Sequence, residues 1–190
     1  MQTDFYTSYG NYKGYQSPKL AKKDIARFDA EIWVPASFSK HMTCLEIGCG
    51  TGAFLAYLSA KGLTNFQGID HDKALRDILP TELARKFECV DIRKYLETTR
   101  NVKFDRIVLL DVLEHFSPEE GFQLLQMIKN TLGEGGKIII KVPNASSPWG
   151  MNYQFGELTH KATYNGESLR QLATACKLTV DSIYDQRNGS

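Results

Sequence analysis

Residues 45–52, Leu-Glu-Ile-Gly-Cys-Gly-Thr-Gly, set one acidic side chain, Glu46, ahead of three glycines at alternate positions, Gly48, Gly50 and Gly52. Glycines so spaced let the backbone take positive φ and bring a ligand close to the main chain, while the first N–H groups of a following helix point at that ligand. A carboxylate or phosphate suits such a place. Three more carboxylates each close an apolar segment: Asp70 after Phe66-Gln67-Gly68-Ile69, Asp91 after Cys89-Val90, and Asp111 after Ile107-Val108-Leu109-Leu110. Imidazoles, which exchange a proton near neutral pH, stand at His115 and His160, with Glu157 three residues before the second.

These residues need a scaffold. The run up to Ile47 reads as a buried strand, and Ala53, Phe54, Leu55, Tyr57 and Leu58 give the apolar face of the helix after the glycines. Short apolar runs then alternate with amphipathic stretches. That predicts a doubly wound α/β domain, a mostly parallel Rossmann-like sheet with helices on both faces. Strands are expected at 43–47, 66–70, 86–90, 104–110, 136–142 and 178–185. A helix is expected at 117–132, capped by Ser117, with Pro118 first, Glu119 and Glu120 complementing its dipole, and Gly133 ending it. Ser17-Pro18 reads as the start of an earlier helix with Ile25, Phe28 and Ile32 on one face. Residues 1–40 are therefore expected to form a cap segment and helix over the site, and 41–190 the main domain.

Composition sets limits. A chain of 190 residues fits one domain with a sizeable core, and 42% hydrophobic with 24% charged residues is globular. A net charge of +1 gives no broad attraction to nucleic acid or anionic membranes, which argues against nucleic acid as a partner. No apolar run is long enough to span a membrane and Met1-Gln2-Thr3-Asp4-Phe5 is no signal peptide, so the expected compartment is the cytoplasm. Cys44, Cys49, Cys89 and Cys176 lack Cys-x-x-Cys spacing and read as reduced packing residues.

The glycine stretch resembles motif I of the class I S-adenosylmethionine (SAM) dependent methyltransferases, and the resemblance runs over about residues 43–185. It implies SAM as cofactor and S-adenosylhomocysteine (SAH) as product. Asp70, roughly twenty residues after the glycines, would hold the ribose hydroxyls, with His71 beside it. Asp91 and Ile92 would face the adenine, and Asp111, in Asp-Val-Leu-Glu-His-Phe, would lie in the loop that passes the methionine part. Glu46, Gly48, Cys49, Gly50 and Gly52 complete the implied cofactor set. Gly135-Gly136 before Lys137-Ile138-Ile139-Ile140-Lys141-Val142 is similar to the family's glycine turn and fifth strand. Two other readings of these residues stay open. Gly48-x-Gly50-x-x-Ala53 also satisfies the loose dinucleotide fingerprint, and Asp70 and Asp91 can be helix caps.

The stretch 143–164 is long for a connector and reads as a lid or binding loop. With Glu157-Leu158-Thr159-His160 and Glu167-Ser168-Leu169-Arg170 it resembles a methyltransferase subgroup that includes ubiquinone-pathway-like O-methyltransferases and enzymes acting on sugars or cell-surface glycans. The implied activity is methylation of a hydroxyl on a small molecule or glycan. His160 is the expected general base and His115 its competitor; Glu157 and Trp149 are the expected acceptor contacts. Tyr6, Tyr9, Tyr12 and Tyr15 read as aromatic packing or as a cover over SAM, with Tyr9 taken as an acceptor contact. Asp111-x-x-Glu114-His115 with distant His160 also resembles the metal pattern of small-RNA 2′-O-methyltransferases. The reading adopted has no metal, with Glu114 and His115 shaping the SAM loop. A non-catalytic SAM-fold module and N-methylation are the alternatives, the latter without an Asn-Pro-Pro-Tyr type clamp in the chain. The family sheet has seven strands and the chain stops after the expected sixth. A longer parent chain, a second copy in a homodimer, or another covering segment is therefore expected at the open sheet edge.

Overall fold

The computed structural model describes residues 14–185. Five strands form one parallel sheet: β1 (Cys44–Ile47), β2 (Phe66–Asp70), β3 (Phe87–Cys89), β4 (Phe104–Leu110) and β5 (Leu132–Lys141), in the order β3-β2-β1-β4-β5. Chain order reverses between β1 and β4. Crevices at such reversals, outside the carboxyl ends of the strands, are where doubly wound sheets bind ligands. The registers Ile47 to Ile69 and Ile47 to Leu109 bring the ends of β2 and β4 level with the end of β1.

The helices α1 (Lys22–Phe28), α2 (Ala53–Ala60), α3 (Leu75–Ile78), α4 (Thr81–Ala84), α5 (Ile92–Thr98), α6 (Pro118–Asn130), α7 (Pro148–Phe155) and α8 (Gly166–Ala175) fill the connections. Alternation along the strands divides the core between the two faces of the sheet. Cys44 and Val108 pack with Phe28, Ile32, Phe54, Tyr57 and Leu58 on one face; Leu45, Ile47, Ile107 and Leu109 pack with Tyr95, Leu124 and Ile128 on the other. Tyr57 anchors α1 on α2: its hydroxyl donates to Asp29 Oδ1, which also pairs with Lys61 Nζ at 2.8 Å, and its ring lies 5.0 Å from Phe28.

Four expectations need correction. The first helix begins at Lys22 rather than Pro18, because Asp24 Oδ2 accepts the Ala21 N–H and fixes the start there; a π-helical turn, Asp29–Trp33, continues it. Its apolar face is the expected one, with Phe28 and Ile32 buried and Ile25 packed on the core. The helix at 117–132 has the expected Ser117 and Glu120 capping box but ends at Asn130, where Thr131 Oγ1 donates back to the Ile128 carbonyl. Gly133 does not terminate it. The chain enters β5 directly at Leu132, and residues 133–136 bulge between the pairs Phe104 with Leu132 and Arg106 with Lys137.

The fourth correction is the strand at 178–185, which does not form. The segment carries no regular secondary structure, and side-chain contacts hold it: Asp181 pairs with Lys137 Nζ at 2.7 Å and Asp185 accepts from Asn144 Nδ2 at 2.7 Å, while the Tyr184 hydroxyl donates to the Glu31 carbonyl. Among the described residues β5 therefore pairs only with β4. No helix among them is long and apolar enough to cross a membrane.

Candidate active site

The glycine turn closes on β2. Gly48 and Cys49 N–H groups both donate to the Ile69 carbonyl, at 2.8 and 3.0 Å, and Gly50 N–H donates to Asp70 Oδ2 at 3.0 Å. The other Asp70 oxygen accepts the Asp72 N–H. Gly48, Gly50 and Gly52 all have positive φ, and two of them are also sterically required: a Cβ would meet Val112 Cγ2 at 2.4 Å from position 48 and Leu79 Cδ2 at 2.5 Å from position 52. A Cβ at Gly50 would meet nothing within 4 Å, so the middle of the turn faces open space. Cys49 contributes backbone only, its side chain being buried.

Glu46 is buried at the end of β1, and its Oε2 has no hydrogen-bond partner among the described residues. Burial first, and then the charge of Asp70, pushes its carboxyl well above the usual range. An orphaned polar atom beneath an open glycine cradle suits a polar cofactor. His71 is mostly exposed, with Nδ1 3.4 Å from Asp70 Oδ1. Asp91 caps α5 by accepting the Lys94 N–H at 3.1 Å, and Ile92 is the first residue of that helix. Of the expected tyrosines only Tyr15 lies among the described residues; Tyr6, Tyr9 and Tyr12 fall outside them.

The second half of the site follows β4. Asp111 takes φ +56 and its half-exposed carboxylate pairs with Lys141 Nζ at 2.7 Å. A 3₁₀ turn, Leu113–His115, then buries Glu114 completely. The Glu114 carbonyl accepts the N–H groups of Lys161 and Ala162, at 2.8 and 3.1 Å, which pins the loop after α7 against this turn. Gln154 reinforces it from α7: Nε2 donates to the Ala162 carbonyl, and the Gln154 carbonyl lies 2.8 Å from His160 Nδ1. A carbonyl only accepts, so Nδ1 carries the proton and Nε2 holds the lone pair in the neutral ring.

Four side chains meet here. His160 Nε2 is 4.0 Å from Glu114 Oε1 and 3.8 Å from Glu157 Oε2; His115 Nε2 is 3.8 Å from Glu157 Oε1; the two imidazoles meet edge to face at 4.8 Å. Burial pushes the Glu114 carboxyl up to about 8. The expected residues His115, Glu157 and His160 are thus brought together, whereas Trp149 is 74% exposed and makes no part of the cluster. Glu114, for which the reading adopted from sequence was a shaper of the loop rather than a metal ligand, is central. Its signal was an acid placed among apolar residues in Val112-Leu113-Glu114-His115.

Tyr15 relates the two halves. Burial raises its phenol most, and then the negative charges of Asp72 and Asp70 and, more weakly, of Glu157 raise it further, so one hydroxyl lies in the field of carboxylates from both.

Comparison with known proteins agrees with this arrangement. No curated protein matches the chain. Among solved structures, a SAM dependent methyltransferase from Archaeoglobus fulgidus superposes with a TM-score of 0.72 at 22% identity, over 91% of this chain and 74% of the other. A magnesium protoporphyrin IX methyltransferase from Synechocystis PCC 6803 with bound SAH superposes at 0.63 and 15% identity, over 90% and 84%. The mitomycin 7-O-methyltransferase superposes at 0.61 and 17% identity over 84% of this chain, which spans only 50% of that enzyme's length; for the plantazolicin methyltransferase the share is 66%. At these identities the likeness concerns the fold. The family model of the methyltransferase domain, however, matches residues 15–183, nearly the whole described chain, and the chain belongs to that family, whose methyl donor is SAM.

Proposed function

We propose that the chain transfers a methyl group from SAM to a hydroxyl of a small molecule or sugar. SAM presents an electrophilic methyl on a positive sulfur; the new oxygen to carbon bond forms as the carbon to sulfur bond breaks and its electrons pass to sulfur. The residues of this chain bind, align and take charge of the proton. Asp70 and the open turn at Gly50 would hold the ribose and the polar end of the cofactor, with Glu46 beneath them and Asp91 at the adenine side. The acceptor hydroxyl must also lose its proton. That falls to the Glu114, His115, Glu157 and His160 cluster, which supplies imidazole lone pairs and negative charge where protons leave.

The single observation that carries the reading is the direct packing of the two halves: the Gly48 turn lies so close on Val112, two residues before Glu114, that a Cβ at position 48 would meet Val112 Cγ2 at 2.4 Å. Alignment of nucleophile, methyl and sulfur is most of what this reaction asks of a protein. Two solved neighbours named as O-methyltransferases share the fold, which supports a hydroxyl acceptor. The test is thermal unfolding of the purified chain with SAM, SAH or NAD, beside Asp70→Ala, followed by SAH release with hydroxylated acceptors. A native-state ligand raises the midpoint by mass action. Stabilisation by SAM and SAH that the variant loses, with SAH formed only when an acceptor is present, is the expected outcome. Stabilisation by NAD alone overturns the proposal.

A further inference from the structure

We infer that Glu114, His115, Glu157 and His160 form a binding site for a divalent transition cation of the Zn²⁺, Co²⁺ or Mn²⁺ class. Ligand atoms of Glu114, His115 and His160 lie within 4.8 Å of one another. Glu157 reaches both imidazoles, one with each oxygen, at 3.8 Å. These gaps are too long for hydrogen bonds. They do suit ligands around an ion: bonds of about 2.1 Å separate neighbouring ligands by about 3.0 Å at right angles and opposite ones by about 4.2 Å, so modest contraction closes the shell.

Three further observations point the same way. The first is the His160 tautomer, because Nδ1 is committed to the Gln154 carbonyl and the Nε2 lone pair is directed among carboxylates; an imidazole held from its far nitrogen is how histidine is oriented toward a metal. The second is Glu114. Its side chain is fully buried and neither oxygen has a hydrogen-bond partner among the described residues, a costly state unless something charged or protic meets it. Gln154 Oε1 and Tyr164 OH are buried and unpartnered too, so four of the five such atoms in the described residues belong to this turn and the loop pinned on it. The third is charge. Nearby ammonium groups are engaged elsewhere, Lys141 with Asp111 and Lys161 with Glu120, and a dication that displaces the Glu114 proton would have two carboxylates to balance its charge. Mixed nitrogen and oxygen donors favour a borderline transition ion over Mg²⁺.

The membership differs from the spacing pattern in the sequence. Asp111, the first acid of that pattern, faces Lys141 outside the cluster, and Glu157 from the loop takes its place. Glu114 forms the buried floor, while His115 and Glu157 keep some exposure, so the open coordination positions face outward. The role of the ion rests on the methyl-transfer reading and takes over the deprotonation assigned there to the imidazoles, whose lone pairs would be bound to the ion. An acceptor oxygen bound there releases its proton to water more readily, leaving oxygen to form the bond to carbon as the carbon to sulfur bond breaks. Cation binding itself does not depend on that reading.

The experiment is titration of the untagged, chelator-treated full chain with CoCl₂ and ZnCl₂, followed by calorimetry and by Co²⁺ visible absorption, in wild type, Glu114→Gln and His115→Ala. Circular dichroism verifies folding, and SAM-dependent thermal stabilisation is measured separately on each sample. One ion per chain, weakened at least 10-fold in each folded variant, is the expected result. Absence of saturable binding by the wild type at millimolar cation overturns the site, as does binding of unchanged strength in both variants. Loss of SAM stabilisation in the wild type with intact cation binding counts against the methyltransferase reading and leaves the site standing.

Discussion

Substitution of Gly48 by alanine tests the junction between the two halves of the site. Two penalties add. The backbone at 48 sits at φ +69, which an L residue enters at a cost of roughly 1–2 kcal/mol. The new methyl would also lie 2.4 Å from Val112 Cγ2, more than 1 Å inside the ~3.5–4.0 Å of carbon contacts, and overpacking of this kind costs about 1–3 kcal/mol. The sum is about 2–5 kcal/mol, and at about 2–4 °C per kcal/mol for a chain of this size the midpoint should fall by about 4–20 °C. Only the second penalty is removable. Val112→Ala takes away the clashing methyl, so Gly48→Ala with Val112→Ala should lose less than the two singles added together, by a coupling of about 1–2 kcal/mol. Denaturant unfolding of the four proteins measures it. An unchanged midpoint in Gly48→Ala, or strict additivity in the double variant, would refute the packing described.

Four other perturbations follow from particular contacts. Arg106 is buried and donates to the carbonyls of Ala36, Asp105 and Ser37, so Arg106→Met should strip three acceptors and cost about 2–4 kcal/mol in denaturant unfolding. For Glu46 the native carboxyl holds its proton above the unfolded value of about 4.3, so stability is greatest below that pH and falls as pH rises through the raised native value. Glu46→Gln should therefore match wild type near pH 4 and exceed it near pH 8 in thermal unfolding. Gly150→Ala would set a methyl 2.1 Å from the Asn144 carbonyl oxygen, a backbone atom that cannot swing aside; limited proteolysis should show early cleavage around α7. Asp111→Asn removes the charge paired with Lys141 but keeps a residue type that tolerates positive φ, and should shift stability by under about 1 kcal/mol.

What was legible in the sequence follows a physical division. Short apolar runs and helical apolar patterns gave β1 to β4 and α2 closely, because both faces of a parallel sheet must be buried and its strands carry that requirement in their own residues. The glycine turn was legible because Gly48 and Gly52 answer to backbone sterics. Strand pairing was not. Residues 178–185 carry a strand's apolar alternation, but a ladder needs a neighbour, and Asp181, Tyr184 and Asp185 take side-chain partners instead. The site divided likewise: His115 and His160 were named from their chemistry, yet their meeting depends on the Glu114 carbonyl catching Lys161 and Ala162, a contact between backbones that no residue type announces. Nor does the spacing of Asp111 from Glu114 announce its φ of +56 or its pairing with Lys141, which set it apart from the histidine cluster.

The geometry also explains why the two halves can hold a common alignment. Glu46 and Gly48 stand on the end of β1; Val112 and Glu114 continue β4; and the two strands are paired and buried, with Ile47 opposite Leu109. A slip in that register by one residue would turn every side chain to the other face, which the divided core forbids. Displacement at carbon loses rate steeply when the reacting atoms are misplaced by even 1 Å. Loops alone hold such tolerances poorly, whereas rigid elements hold them well. The contact of Val112 with the Gly48 position extends the strand register past the end of the sheet, so that the glycine turn and the turn carrying Glu114 share one fixed spacing. However the long stretch 143–164 runs, its anchor, the paired N–H groups of Lys161 and Ala162 on the Glu114 carbonyl, holds the neighbouring His160 against that turn.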